Sequence, residues 1–85
     1  MNAEKEIHHD WMWTSGFCQR LRTAREKAGL SQTDAAFMLK TNQSTICRYE
    51  SAVKCPTAFR VVELAQLYGC TVSYLFGEGE YERIS

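Results

Sequence analysis

Apolar residues in the middle of the chain recur at helical rather than alternating spacing. Phe17, Leu21, Ala24 and Ala28 stand at i, i+4, i+7 and i+11, which predicts a helix starting after Thr14-Ser15, running to Ala28 and stopped by Gly29. Its other face, Gln19, Arg20, Arg22, Thr23, Glu26 and Lys27, is expected in solvent, with Arg25 beside the apolar stripe and partly buried. Ala35, Ala36 and Leu39 form the inner face of a second helix, and Ile46 and Tyr49 that of a third. After a loop from Ser51 to Cys55, Val61, Val62, Leu64, Ala65 and Tyr68 make the core stripe of a fourth helix, closed by Gly69. A short fifth, Val72 to Phe76, ends at Gly77. The pattern therefore predicts an all-α fold of five helices.

Polar residues mark where these helices begin. Ser31 followed three residues later by Asp34 reads as a capping box, and Thr41-Asn42, Pro56-Thr57 and Thr71 are further starts. Only Gln32 to Lys40 separates the first two caps, room for about two turns. The next helix must then leave at a steep angle, which is helix-turn-helix geometry and places the second helix of the pair where it can enter a major groove. Its outer face carries Gln43, Ser44, Cys47 and Arg48. The chain divides into an N-terminal extension (residues 1–13), a helical domain (14–77) and an acidic tail (78–85).

Composition narrows the class. Eighty-five residues with one proline make one small domain that buries about 60 to 65% of its unfolded surface. No apolar run approaches the roughly 18 residues of a membrane span, and the polar, acidic start is unlike a signal peptide, so a cytoplasmic address is expected. Cys18, Cys47, Cys55 and Cys70 form no Cys-x-x-Cys pair. They read as reduced, packed thiols rather than as disulfides or as zinc ligands with His8 and His9. No metal or cofactor is expected. Without Cys–His pairing, paired carboxylates or a phosphate loop at useful spacing, an enzyme is not expected either.

Net charge is zero, yet its distribution is uneven. Between Thr14 and Arg60 eight basic residues (Arg20, Arg22, Arg25, Lys27, Lys40, Arg48, Lys54, Arg60) face three acidic ones (Glu26, Asp34, Glu50). The compensating acid is at the ends. A basic middle can release counterions from phosphate.

Through Arg20-Leu21-Arg22, Gly29-Leu30-Ser31-Gln32, the run from Gln43 to Glu50, Pro56-Thr57, Leu64-Ala65 and the run from Val72 to Gly77, the chain resembles the lambda-repressor and Cro-like family of helix-turn-helix regulators. That family is also called the xenobiotic-response-element family. The likeness covers Phe17 to Gly77 and implies a compact five-helix DNA-binding domain acting as a homodimer on a pseudo-palindromic operator, repressor-like, in a phage or bacterial setting. It implies base reading by Gln43, Ser44 and Arg48, since an amide pairs bidentately with adenine and a guanidinium with guanine. Gln32 matches the family residue that bonds a phosphate, Thr41 and Asn42 match positions reaching thymine methyls or backbone, and Thr45, Ser51 and Lys54 are further phosphate candidates. Arg25 and Glu50 match a buried ion pair tying the first helix to the third.

The sequence departs from the family pattern in three ways. Lys40 stands where a glycine is usual at the corner, so a left-handed turn there is either strained or replaced by another geometry. Phe37, Met38 and Phe59 replace polar residues and make an apolar surface, which Trp11 and Trp13 of the same or a second chain are expected to cover. Acidic flanks lower non-specific DNA affinity. A small chain leaves no room for a small-molecule-binding domain, so a regulatory protein partner is a further expectation. The alternative function is a protein-interaction module of the same fold, an antitoxin or antirepressor gripping its target through Trp11, Phe37 and Phe59.

Overall fold

The computed structural model describes residues 15–78. The expectations placed on Trp11, Trp13, His8 and His9 lie outside that range. Five helices follow one another: α1 (Ser15–Lys27), α2 (Gln32–Met38), α3 (Gln43–Glu50), α4 (Ala58–Tyr68) and α5 (Val72–Leu75). No strand occurs among the described residues.

Local chemistry explains each start. Ser31 accepts the Asp34 backbone N–H at 2.9 Å while Asp34 accepts the Ser31 N–H at 3.1 Å, a complete capping box. The backbone N–H and hydroxyl of Ser31 hold the Asp34 carboxyl below its ordinary range. Asn42, Thr57 and Thr71 cap α3, α4 and α5 in the same manner, each through its side-chain oxygen.

The ends are built alike as well. After α2, Thr41 N–H reaches Ala36 O at 2.9 Å and Lys40 N–H reaches Phe37 O at 3.2 Å, the paired bonds of a Schellman motif. After α3, Val53 N–H reaches Arg48 O at 3.0 Å. This motif needs one residue in the left-handed region. Glycine fills that place after α1, α4 and α5, but Lys40 (φ 59°) and Ala52 (φ 63°) fill it on either side of α3. The lysine thus keeps the left-handed corner rather than diverting the turn, and a Cβ there costs about 1 kcal/mol. Lys40→Gly is expected to raise unfolding free energy by about 0.5 to 1 kcal/mol in denaturant melts, the gain being trimmed by glycine's greater freedom when unfolded.

One core lies between the helices. Phe17, Leu21, Ala35, Ile46, Val61, Leu64, Tyr68 and Leu75 are all almost wholly buried. α1 is its spine, packing on α3, α4 and α5, while α2 and α3 pack chiefly on each other. Ala35 and Ala36 are buried in α2, where small side chains let two short helices approach closely. Burial pushes the thiols of Cys18, Cys55 and Cys70 above their ordinary range.

Two assignments from the pattern need correction. The apolar pattern puts Val62 in the core stripe of α4, but it is 42% exposed, because Val61, Leu64, Ala65 and Tyr68 already fill the inward arc of that helix. Arg20, assigned to a solvated face, is half-buried and its Nε donates to Leu75 O at 3.1 Å, satisfying a carbonyl at the end of α5. Phe17 stacks on Phe76 beside it, ring centroids 5.7 Å apart.

Tyr68 places its hydroxyl in the core, where Tyr68 Oη has no hydrogen-bond partner among the described residues. Burial, and then the negative charge of Glu50, push its pKa far above the ordinary value. Tyr68→Phe removes a desolvated, unpaired group and is expected to leave stability unchanged or raise it by up to about 1 kcal/mol in urea melts. A loss beyond about 1 kcal/mol would show that the hydroxyl is paired.

Candidate nucleic-acid interface

The corner between α2 and α3 brings together residues far apart in function but near in sequence. Gln43 is the first residue of α3 and Gln32 the first of α2. The two amides meet at the corner, and Gln43 Nε2 donates to Gln32 Oε1 at 2.6 Å. Gln32 Nε2 in turn donates to Glu50 Oε1 at 3.1 Å.

Glu50 sits at the last turn of α3 with its side chain 3% exposed. Arg25 Nε donates to its Oε2 at 2.7 Å and Arg25 Nη2 to its Oε1 at 3.1 Å. The remaining arm of the guanidinium, Nη1, donates to Leu30 O at 2.8 Å. Arg25 is itself buried, its side chain 8% exposed. The bidentate bond to Glu50 holds the guanidinium pKa above its usual value against the opposing effect of burial. Arg22 adds a looser approach to Glu50 Oε1 at 4.0 Å. The first and third helices are thus locked together directly behind the corner, and the line Arg25, Glu50, Gln32, Gln43 runs continuously from core to surface.

Gln43, Ser44 and Arg48 are exposed on the outer side of α3, with Cys47 half-buried between them. Arg48 makes no side-chain hydrogen bond or ion pair among the described residues, so its guanidinium is available to a partner. Thr41 is half-buried and Asn42 exposed. Asn42 Oδ1 is committed to the cap, accepting both the backbone N–H and the hydroxyl of Thr45 at 3.0 Å. The Ser51 hydroxyl likewise donates to Cys47 O at 2.7 Å. Lys54 is exposed in the loop after α3, its backbone N–H bonded to Arg48 O at 3.2 Å. The outer face of α3 therefore offers an amide, a hydroxyl and a guanidinium in a row, with no acidic side chain in its first turn.

Two connections are absent from the sequence reading: the bond from Gln32 to Gln43 and that from Gln32 to Glu50. Spacing alone does not reveal them, since they depend on the angle between α2 and α3. A second surface flanks the corner. Phe37 is 82% and Phe59 73% exposed, with Met38 and Val62 also open. Leu30, Thr33, Asp34, Phe37 and Met38 line an open, mostly apolar groove along α2. Arg60 Nη1 donates to Leu39 O at 3.2 Å, which brings the start of α4 against the end of α2.

Comparison with known proteins agrees with this geometry. A helix-turn-helix family model matches residues 21–75, from the middle of α1 to the end of α5. Over 65 residues, 76% of the chain, the sequence is 32% identical to the HTH-type transcriptional regulator ImmR of Bacillus subtilis (strain 168). The chain spans about half the length of that relative, 51%. With the family model covering residues 21–75, the chain belongs to the lambda-repressor/Cro-like helix-turn-helix family.

Proposed function

We propose that the protein is a sequence-specific DNA-binding transcriptional regulator that lays α3 in the major groove. The observation that carries this reading is the exposed row of Gln43, Ser44 and Arg48 on a helix whose other face is anchored in the core. An amide and a guanidinium on one helical face suit adenine and guanine edges respectively. The unused N–H of Gln32 and the ammonium of Lys54 flank that face as phosphate donors, with Thr41, Asn42, Thr45 and Ser51 as further backbone or thymine contacts. The basic surplus between Thr14 and Arg60 supports a polyanionic partner. The similarity to a transcriptional regulator points the same way.

The finer reading is a repressor-like homodimer on a pseudo-palindrome with half-sites about one helical turn apart. Selection from random duplexes at stated salt tests it. Enrichment of an inverted repeat is expected, and recovery of unenriched sequence would overturn it. The exposed Phe37 and Phe59 rings favour a second reading, a protein-interaction module such as an antitoxin or antirepressor, which binds a protein partner with Arg48 dispensable.

A further inference from the structure

α2 buries Ala35 and Ala36 and leaves Thr33, Asp34, Phe37 and Met38 exposed. Those four residues, with Leu30, line the open groove along it. The bond from Arg60 Nη1 to Leu39 O seats the start of α4 against the end of α2. There Phe59 and Val62, three residues apart on one face of α4, are exposed as well. An aromatic side chain offers about 150 to 250 Å², so the two phenyl rings, Met38 and Val62 together open an apolar patch on the order of 450 Å². A contiguous patch of that size marks an interaction site.

The charges beside the patch are self-complementary. Asp34 stands three residues before Phe37 and Lys40 three after it, both exposed and of opposite sign. Each is held in place, since Asp34 accepts the Ser31 N–H at 3.1 Å and the Lys40 N–H reaches Phe37 O at 3.2 Å. About a two-fold axis at Phe37 two copies of α2 run antiparallel, and a residue before the ring on one copy faces the residue equally far after it on the other. At about 1.5 Å per residue each carboxylate then lies level with an ammonium, and this happens twice. A foreign partner has to supply both charges in that order, whereas a second copy already carries them.

We propose that a second copy of this chain docks on this face, α2 against α2, with the two Phe37 rings at the axis and Asp34 of each copy opposite Lys40 of the other. The inference deepens the homodimer reading above by naming its face. Pairing buries about twice the patch, and with the rim of Thr33, Asp34 and Lys40 it clears the roughly 1,000 Å² of a specific interface. An area near that lower bound fits a reversible dimer rather than an obligate one. It also gives a use to Lys40, which holds a left-handed backbone that glycine would adopt with less strain.

Sedimentation velocity of the full chain over a concentration series tests this without DNA, and a monomer–dimer equilibrium with Kd in the micromolar range is expected. Phe37→Glu should raise that Kd by about 100-fold or more while leaving the helical circular dichroism unchanged, because the ring is exposed. Lys40→Asp sets carboxylates against each other and should weaken pairing by about tenfold, and adding Asp34→Lys to it should restore the dimer by exchanging the charges. A dimer that survives Phe37→Glu would overturn this face while the homodimer reading stands. Failure of the charge exchange to restore pairing would overturn the antiparallel register. A wild type still monomeric at about 0.5 mM, where a micromolar Kd pairs nearly all chains, would overturn the proposal. If its tryptophan emission then shifts red in Phe37→Glu, the patch belongs to Trp11 and Trp13 of the same chain instead.

Discussion

Glu50→Ala is expected to cost about 3 to 5 kcal/mol of unfolding free energy, the largest loss from any single polar side chain of the domain. The carboxylate is nearly inaccessible and receives two bonds from a guanidinium that is equally buried. Its removal strands a positive charge in the core with only Leu30 O as a hydrogen-bond partner among the described residues. In a domain of this size such a loss lowers Tm on the order of 15 °C or more. Denaturant and thermal melts measure it directly, and wild-type-like melting would refute the buried-pair argument. The cost belongs to orphaning the partner rather than to the net strength of the pair. Replacing both groups, Arg25→Met with Glu50→Leu, is therefore expected to recover most of the stability. High salt should leave the wild-type pair largely intact, since buried charges are poorly screened.

Under the DNA-binding reading, Arg48→Ala is expected to have the opposite profile, with little effect on stability and a large one on recognition. The side chain is exposed and holds nothing else in place, so melting should move by less than about 0.5 kcal/mol. Loss of a bidentate guanine contact costs about 1 to 3 kcal/mol, roughly 5- to 150-fold in affinity, and relaxes the preference at one base position of each half-site. Titrations of the selected operator and of a scrambled duplex at the same salt check it. Equal weakening on both duplexes would reassign Arg48 to phosphate. Retained binding to a protein partner, with no operator selected even by the wild type, would move the function to the interaction reading.

Much of the architecture was legible because it is written in local chemistry. Ser31, Asn42, Thr57 and Thr71 announce helix starts through side chains that bond the nearest backbone, so sequence neighbours suffice. The outward placement of Gln43 and Arg48 follows from Ile46 and Tyr49 being the inner residues of the same eight-residue helix. What escaped depends on distance or angle. Val62 is as apolar as Val61, and only the packing of α4 decides which of the two faces inward. Arg20 looked like a surface cation because its acceptor, Leu75 O, lies 55 residues away. Ala52 carries no sign that its backbone is left-handed, since the conformation is imposed by the end of α3. The link from Gln32 to Gln43 required the helix crossing itself.

The Arg20 bond to Leu75 also bears on the order in which the domain assembles. It joins α1 to α5 across 55 residues, while the corner amides are only 11 apart. Loop closure over the longer span costs about 1.4 kcal/mol more in chain entropy. The recognition corner is therefore the inexpensive contact to form, and the clasp between first and last helices is the late one. Because α5 packs on α4 as well as on α1, loop-closure cost predicts only that its clasp to Arg20 forms after the corner.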